Sequence, residues 1–425
     1  MKLDTKKSAA KVVSAAKAAD KAKSSSRQSA SQTVRSNKIV QVEVIPISTP
    51  MKRAQLMRGH SLVRIDSVIL KLTTDDGMVA FSDSGDTSSW YRGETQDSIM
   101  SMICDFFARQ ILLGEDPTKI EKIVGRMDQM ARENNQAKAT VDFALHDMVG
   151  KLCNVPVYTL LGGKTIDRIP IGFVLGAGEP DVVAREAVEV VKEGFSFVKL
   201  KAGGTLRRDM AMVGVVREAV GPDVDLFMDV NGAWTYDQAL TTIRALERFN
   251  LSKIEQPLPA WDIDGMVRLR GKVDTPIYAD ESAQELHNLL EIITRGAADG
   301  LMIKTQKAGG LLKSQRWLTM ARLANMPVVC GCMVGSGLEA SPAAHLLAAN
   351  DWIAQFPQEN AGPLHIYDTL NSRTIKGDIA RNVPLFEKGY LYPNDGAGLG
   401  IDLDEERVRQ LVTPGKKRRV VTLQK

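Results

Sequence analysis

Seven charged or amide side chains each close a short apolar segment in the middle of the chain. They are Lys199, Lys201, Asp229, Asn231, Glu255, Asp280 and Lys304. The steps along the series from Lys201 to Asp229, Glu255, Asp280 and Lys304 are 28, 26, 25 and 24 residues. Each step has the length of one strand–helix unit, and parallel α/β folds carry their functional groups at the carboxyl ends of the strands. The spacing therefore predicts that these side chains surround one rim.

The types of these residues indicate a hard metal ion flanked by two proton carriers. Asp229, Glu255 and Asp280 would supply carboxylate oxygens from three adjacent strands, which suits Mg²⁺. A lysine stands on each side of them, Lys201 on the second strand and Lys304 on the sixth. A single acid at a strand end usually caps a helix or forms a surface ion pair. Three acids and two lysines in register are harder to explain that way, because clustered buried charges are costly unless they bind a metal or one another.

The elements that must position these groups follow from hydrophobic periodicity. From Ile39 the chain alternates like strands and predicts a hairpin that turns at Asp75-Asp76-Gly77. Helical periodicity follows to about Gly163, which makes an α+β unit. After Gly163, apolar strands and amphipathic helices alternate. This pattern gives about eight strands, of which the last is weak and lies near residues 353–356. Eight repeats favour a closed barrel of parallel strands over an open sheet.

We therefore divide the chain into four parts. Residues 1–37 are predicted to be a disordered basic tail, residues 38–165 a capping domain, and residues 166–384 a catalytic barrel. Residues 385–425 are predicted to pack back on the capping domain. The chain has 425 residues, too many for one small domain.

Charge and cysteine content exclude several classes of protein. The tail carries nine Lys and Arg against two Asp, whereas the rest has a net charge of −3, so a body that binds nucleic acid is not supported. No apolar run is long enough to span a membrane. Four cysteines form no disulfide framework, which favours a reducing compartment, and we expect a cytoplasmic protein. Organellar targeting by the tail is the less favoured alternative, because transit peptides favour Arg and this tail is rich in Lys.

The motifs together resemble those of the enolase superfamily, in the mandelate racemase/muconate lactonizing enzyme family and its muconate-lactonizing, Lys-x-Lys subgroup. They are KATVDFALHDMVGKLCNVPVYTLLGG (138–163), VKLKAGG (198–204), DVNGAW (229–234), IEQPL (254–258), ADES (279–282), IKTQKAGG (303–310) and PNDGAGLGIDLDE (393–405). The resemblance covers about residues 39–410.

The resemblance implies an α/β fold, a modified (β/α)7β TIM-like barrel with an α+β capping domain formed by N-terminal and C-terminal segments. It implies Mg²⁺, or Mn²⁺ in its place, held by Asp229, Glu255 and Asp280. Lys201 and Lys304 would be the acid and base, and Lys199 would help to lower the pKa of Lys201. The bound metal would stabilise the enediolate that forms when the α-proton of a carboxylate leaves. Two further residues, Asn231 and Glu281, would orient the ligands.

The subgroup assignment depends on strands six and seven. Relatives of mandelate racemase itself carry a His on strand seven, whereas strand seven here reads VVCGCM and strand six ends in Lys304. All five histidines fall outside strand seven, and we expect His146, on a helix of the capping domain, to be structural.

Substrate contacts are expected from two capping loops, 48–60 and 83–93, and from the ends of strands seven and eight. The candidates are Arg53, Arg58, Trp90, Tyr91, Met333 and Glu359. Dipeptide epimerases usually carry Asp-x-Asp before Gly-Pro at strand eight. Here the sequence is Glu359-Asn360-Ala361-Gly362-Pro363, so a standard dipeptide epimerase is in doubt, although Glu359 could meet a cation.

The leading hypothesis is a racemase or epimerase of an amino-acid derivative, because a lysine is present for each face of a planar enediolate. Open alternatives are dehydration of a hydroxy acid or a hydroxyproline-type substrate, and muconate-type cycloisomerisation, since both would retain the two lysines. A homologue without activity that binds a polyanion through its tail is the alternative outside enzymes. The expected partners are a small carboxylate substrate and, by analogy with relatives, further copies of the same chain.

Overall fold

A computed structural model describes residues 37–57, 60–176, 178–367, 370 and 378–424. The predicted tail, apart from Asn37, lies outside these residues, and so does Arg58. The strands are β1 Ile39–Met57, β2 His60–Thr74, β3 Val79–Asp83, β4 Ile169–Pro170, β5 Phe173–Leu175, β6 Phe197–Lys201, β7 Asp225–Asp229, β8 Ile254–Glu255, β9 Ile277–Ala279, β10 Gly300–Ile303, β11 Val328–Cys330, β12 Ala380–Arg381, β13 Leu385–Glu387, β14 Tyr390–Tyr392, β15 Asp402–Leu403 and β16 Arg419–Thr422.

Helices connect most of these strands. The α-helices are α1 Ser89–Arg92, α2 Gln96–Ser101, α3 Ile120–Met130, α4 Asn135–Cys153, α5 Val157–Leu160, α6 Pro180–Lys192, α7 Leu206–Val220, α8 Tyr236–Leu246, α9 Ile263–Arg270, α10 Leu286–Arg295, α11 Thr305–Ala308, α12 Leu311–Leu323, α13 Gly337–Ala348, α14 Asp351–Ala354 and α15 Glu405–Gln410. A π-helix spans Met102–Leu112, and 3-10 turns span Glu247–Phe249 and Gly362–His365. Among the described residues, no helix combines the length and the apolar character needed to cross a bilayer.

The capping domain is built on an antiparallel sheet in the order β16-β1-β2-β3. Alternate residues of β1 face opposite sides: Val42 and Val44 pack with Phe107 of the π-helix, whereas Ile45 and Ile47 join the apolar core that includes the barrel. The period of two thus lets one sheet bury both of its faces. Because β16 pairs with β1, a C-terminal strand completes this sheet.

The barrel consists of seven parallel strands in the order β5-β6-β7-β8-β9-β10-β11. The predicted eighth strand at 353–356 is wrong, because α14 and the turn that follows it occupy this segment. Gln358 and Glu359 close the barrel instead. The N–H of Gln358 donates to the carbonyl of Pro170, and the carbonyl of Gln358 accepts from the N–H of Gly172, directly before the first strand β5. The N–H of Glu359 donates to the carbonyl of Cys330 on the seventh strand, so this segment closes the gap between the two ends of the sheet.

The predicted architecture is therefore confirmed as a (β/α)7β barrel with a capping domain made from both ends of the chain. Residues 385–424 contact both parts. β14 pairs with β4, which precedes the first barrel strand, while β16 pairs with β1 of the capping sheet. The exact boundaries between the domains remain a prediction.

Candidate active site

The register of the parallel strands brings the strand-end residues to one rim. Lys201 is paired with Asp229, and Asp229 is paired with Glu255, each at the end of its strand. Asp280 and Lys304 directly follow β9 and β10. Parallel pairing aligns the carboxyl ends of neighbouring strands, so groups that are about 25 residues apart in sequence become neighbours in space.

Lys199 is the central cation of this rim. Its Nζ lies 2.6 Å from Glu359, 2.8 Å from Glu255 and 3.2 Å from Asp229, and the side chain is only 1% exposed. Burial lowers the pKa of Lys199, but the surrounding carboxylates outweigh burial and raise the pKa well above its usual value. Lys199 therefore stays protonated and neutralises the acids around it.

Lys201 lies beside the predicted orienting pair. Its Nζ donates to Asp229 Oδ2 at 2.6 Å and to Asn231 Oδ1 at 3.3 Å. The amide of Asn231 in turn donates to Glu281 Oε1 at 3.0 Å and to Asp229 Oδ2 at 3.3 Å. Asn231 thus links the third and fifth strands of the barrel through their carboxylates.

Lys304 lies on the other side of the rim and contacts the capping domain. Its Nζ donates to Asp280 Oδ2 at 2.7 Å and to Tyr91 Oη at 3.0 Å, and Tyr91 Oη donates to Asp280 Oδ1 at 2.7 Å. Burial lowers the pKa of Lys304, but Asp280 and its other neighbours raise it well above the usual range. Tyr91 therefore joins the capping domain directly to an acid and a lysine of the barrel.

Around Glu255 and Glu281 there are more carboxylate groups than cations to pair with them. Glu255 Oε1 and Glu281 Oε2 are buried and have no hydrogen-bond partner among the described residues. Burial and the nearby acids raise the pKa of Glu281 to about 7 and that of Glu255 well above its usual value. Such oxygens call for additional positive charge.

The donor set fits a divalent cation on this evidence, because three carboxylates come from consecutive strands and one of them, Glu255, has an unpartnered oxygen. As they stand, no three acidic, His or Cys side chains in the described part of the chain converge closely enough to hold an ion. In this arrangement Lys201 donates a hydrogen bond to Asp229, and Lys304 donates one to Asp280. The assignment of the three ligands stays a prediction.

A cavity of about 60 Å³ lies above the rim, between the barrel and the capping domain. Its wall includes Lys199, Lys201 and Lys304, so both predicted proton carriers face the same space. Four of the six residues predicted to contact substrate also line it, namely Trp90, Tyr91, Met333 and Glu359.

Arg53 has a different environment, and Arg58 lies outside the described residues. Arg53 Nη1 donates to the carbonyls of Leu364 and Tyr367, at 3.0 and 2.9 Å, and the residue is not part of the cavity wall. The predicted loop 48–60 is mostly strand, because β1 extends to Met57 and β2 begins at His60. Arg53 therefore fastens the extended hairpin to the segment that follows the eighth strand.

The sequence prediction missed several residues of the wall and its support. His365 lines the cavity from the 3-10 turn Gly362–His365, whereas strand seven carries no histidine. The Nδ1 of His365 lies 3.0 Å from Gln55 Nε2, and burial lowers its pKa to about 3, which keeps the ring neutral. Asp86 also lines the wall, and Lys307 supports Asp280 from below. His365 does not lie at the end of a strand, so the strand-end spacing that predicted the lysines could not predict it.

The fold and the rim together define a class: a capped (β/α)7β barrel that carries acids on its middle strands and lysines on either side of them. Residues 35–162 match the sequence profile described as "Mandelate racemase / muconate lactonizing enzyme, N-terminal domain", and residues 182–407 match "Enolase C-terminal domain-like". The chain belongs to the mandelate racemase/muconate lactonizing enzyme family of the enolase superfamily, which confirms the resemblance seen in the sequence.

Three relatives show the range of this similarity. A mandelate racemase/muconate lactonizing family protein from Azoarcus sp. EbN1 is 78% identical, with a TM-score of 0.87 over 91% of this chain and 100% of that one. The N-succinyl-L-Arg/Lys racemase of Bacillus cereus is 30% identical over 88% of this chain and 98% of its own length. The dipeptide epimerase of Enterococcus faecalis, solved with Mg and the dipeptide L-Leu-L-Tyr, is 31% identical, with a TM-score of 0.77 over 86% and 99% of the two chains.

Proposed function

We propose that the protein is a Mg²⁺-dependent racemase or epimerase that removes the proton α to the carboxylate of an amino-acid derivative. The observation that carries this proposal is the pair Lys201 and Lys304, which line one cavity from the second and the sixth strand of the barrel. Two lysines on different sides of a bound molecule can reach the two faces of a planar carbon centre.

Each lysine would carry one half of the proton transfer. The neutral amine of one lysine takes the α-proton as the C–H bond breaks, and the ammonium group of the other donates a proton as a C–H bond forms on the opposite face. The substrate is inverted, and the two lysines exchange their protonation states. Lys199, held as a cation by Asp229, Glu255 and Glu359, would keep the acidic rim neutralised throughout.

Asp229, Glu255 and Asp280 would hold the metal ion. Bound there, Mg²⁺ would withdraw charge from the substrate carboxylate and so make its α-proton more acidic. The unpartnered oxygen of Glu255 supports this assignment. The names of two relatives support the substrate class, because the racemase acts on N-succinyl-L-Arg/Lys and the epimerase was solved with a dipeptide.

Deuterium exchange tests the proposal. The protein with Mg²⁺ in D₂O would be given N-acyl amino acids, dipeptides, hydroxy acids and muconate, and each would be followed for mass and chirality. We expect exchange with loss of optical purity for an amino-acid derivative, and a decrease of at least about 100-fold in Lys201→Ala and in Lys304→Ala. Lys122→Ala, a change at an exposed lysine, is the control.

Other outcomes would contradict racemisation in distinct ways. Exchange without inversion would indicate a reaction with a single base, such as cycloisomerisation. Loss of water from a hydroxy acid would indicate a dehydratase. Full activity in either alanine variant would remove that lysine from the mechanism.

A further inference from the structure

Asp86 is a buried carboxylate in the cavity wall. It lies between β3 and α1 and is only 4% exposed. Its N–H donates to the carbonyls of Met333 and Val334 at 3.1 and 3.0 Å, which fixes the residue against the end of the seventh strand. Its Oδ2 accepts from the N–H of Ser88 at 3.3 Å.

No cation among the described residues offsets the charge of Asp86. Burial is the largest influence on this carboxyl group, and nearby Asp66 adds to it, so the pKa rises to about 7. Hydrogen bonds from Ser88 counteract burial only in part. An acid that is buried beside a cavity without a counter-ion favours a positively charged occupant.

The other acid in the wall is in the opposite situation. Glu359 lies 2.6 Å from Lys199 Nζ, so its charge is already compensated. The expectation that Glu359 could meet a substrate cation is therefore weaker than the corresponding case for Asp86. His365 adds no positive charge near Asp86, because burial lowers its pKa to about 3 and the ring stays neutral beside Gln55. The cations of the wall are Lys199, Lys201 and Lys304, which lie on the second strand and directly after the sixth.

We infer that Asp86 binds an ammonium or guanidinium group on the side chain of the substrate, which makes the preferred substrate an amino-acid derivative with a cationic side chain. This inference rests on the proposed function, since it places the substrate's reacting carbon between Lys201 and Lys304. Asp86 lies beside the seventh strand rather than the second or the sixth, so it would contact the far end of the side chain and take no part in proton transfer.

A matched pair of compounds tests the inference: N-acetylarginine and N-acetylcitrulline, which differ mainly in the charge of the terminal group. Binding to the Mg²⁺-loaded full chain is measured by calorimetry, and α-deuterium exchange is measured separately. We expect the arginine compound to be favoured in binding 10- to 100-fold, as for a buried charge-assisted hydrogen bond. Asp86→Asn should remove this preference, whereas Asp97→Asn, at an exposed acid paired with Lys416, should keep it.

The outcomes separate the inference from the proposed function. Equal binding of the two compounds by the unchanged protein, or no binding of either, overturns the inference without reference to any variant. A preference that survives in Asp86→Asn also overturns it. A preference that depends on Asp86 without α-exchange of any compound would support the inference and contradict racemisation. Thermal unfolding of Asp86→Asn verifies that the variant is folded.

Discussion

Asp280 is held by three side chains from different elements. Tyr91 Oη and Lys307 Nζ donate to Oδ1 at 2.7 and 2.6 Å, and Lys304 Nζ donates to Oδ2 at 2.7 Å. Burial raises the pKa of this carboxyl group, but the two lysines outweigh burial and hold the pKa well below its usual range. Asp280 thus stays ionised, as its proposed role as a metal ligand requires.

Lys307 is the least accessible of these partners, and it fixes Asp280 from the side away from the cavity. It is fully buried, and its Nζ also donates to the carbonyls of Asp280 at 3.0 Å and of Met302 at 2.6 Å. Lys307→Met should lower the free energy of unfolding by about 3–5 kcal/mol, because it leaves a buried carboxylate with one partner fewer. Urea unfolding measures this loss.

The control for Lys307 is Lys122→Met, at a lysine whose side chain is 54% exposed in its ion pair with Glu115. Surface pairs contribute about 1 kcal/mol or less. If the two variants were equally stable, Lys307 would not be the structural cation described here.

Strand-end spacing could identify the residues that end strands, but it could not identify their supports. The prediction found Lys201, Asp229 and Lys304 because each ends or directly follows an apolar segment. Lys307 occupies the following helix α11, and Asp86 comes from a capping segment more than a hundred residues away in sequence. Only the closure of the barrel and the docking of the capping domain bring these residues to the site.

At the scale of elements, the start of α12 depends on a glycine. Gly310 has φ 114° and ψ 178°, a conformation that is essentially restricted to glycine. A Cβ at this position would lie 2.4 Å from Cβ of Asp142, whose Oδ1 accepts from the N–H of Leu311. Gly310 therefore allows α12 of the barrel to begin directly against α4 of the capping domain.

Gly310→Ala should destabilise the protein by about 3 kcal/mol, from backbone strain together with overlap against Asp142. Gly271→Ala is the control: Gly271 has a φ of −77° and the nearest atom to its added Cβ is 3.8 Å away, so we expect a change within about 0.5 kcal/mol. Chemical denaturation compares the two. An equal effect would contradict the role assigned to this junction.

Element prediction succeeded where periodicity was strong and failed where the element is short. Helix α4 and the first seven barrel strands follow from their apolar patterns. The eighth strand consists of little more than Gln358 and Glu359, which are polar and give no strand signal. Between Ser48 and His60 the sequence predicts a loop, because Pro50 and the basic residues after it interrupt the alternation, whereas the structure has the long hairpin β1–β2.

At the scale of the whole molecule, the candidate active site takes residues from both parts of the structure. The barrel supplies the acids and lysines, and the capping domain supplies Gln55, Asp86, Trp90 and Tyr91 above them. Both parts line the cavity of about 60 Å³. A substrate that reached the lysines of the barrel would therefore also contact these capping residues.

The balance of charge across this site leads to a prediction about global stability. Glu255 is fully buried with an unpartnered oxygen and a raised pKa, so the folded protein without metal favours its protonated form. When the pKa of a carboxyl group is raised by folding, the folded protein becomes less stable as the pH rises and the group ionises. A cation bound at the site would offset this loss of stability. Mg²⁺ should therefore raise the melting temperature more at pH 8 than at pH 6.

At a Mg²⁺ concentration about 100 times its Kd, the free energy of unfolding should increase by about 2.7 kcal/mol, or on the order of 3 °C in melting temperature. Differential scanning calorimetry measures the shift, with EDTA as the metal-free reference. In Glu255→Gln the shift should largely disappear, because the central ligand is lost, whereas Glu291→Gln at an exposed acid should retain it. If the unchanged protein melted at the same temperature with and without Mg²⁺, then Asp229, Glu255 and Asp280 would not form a metal site.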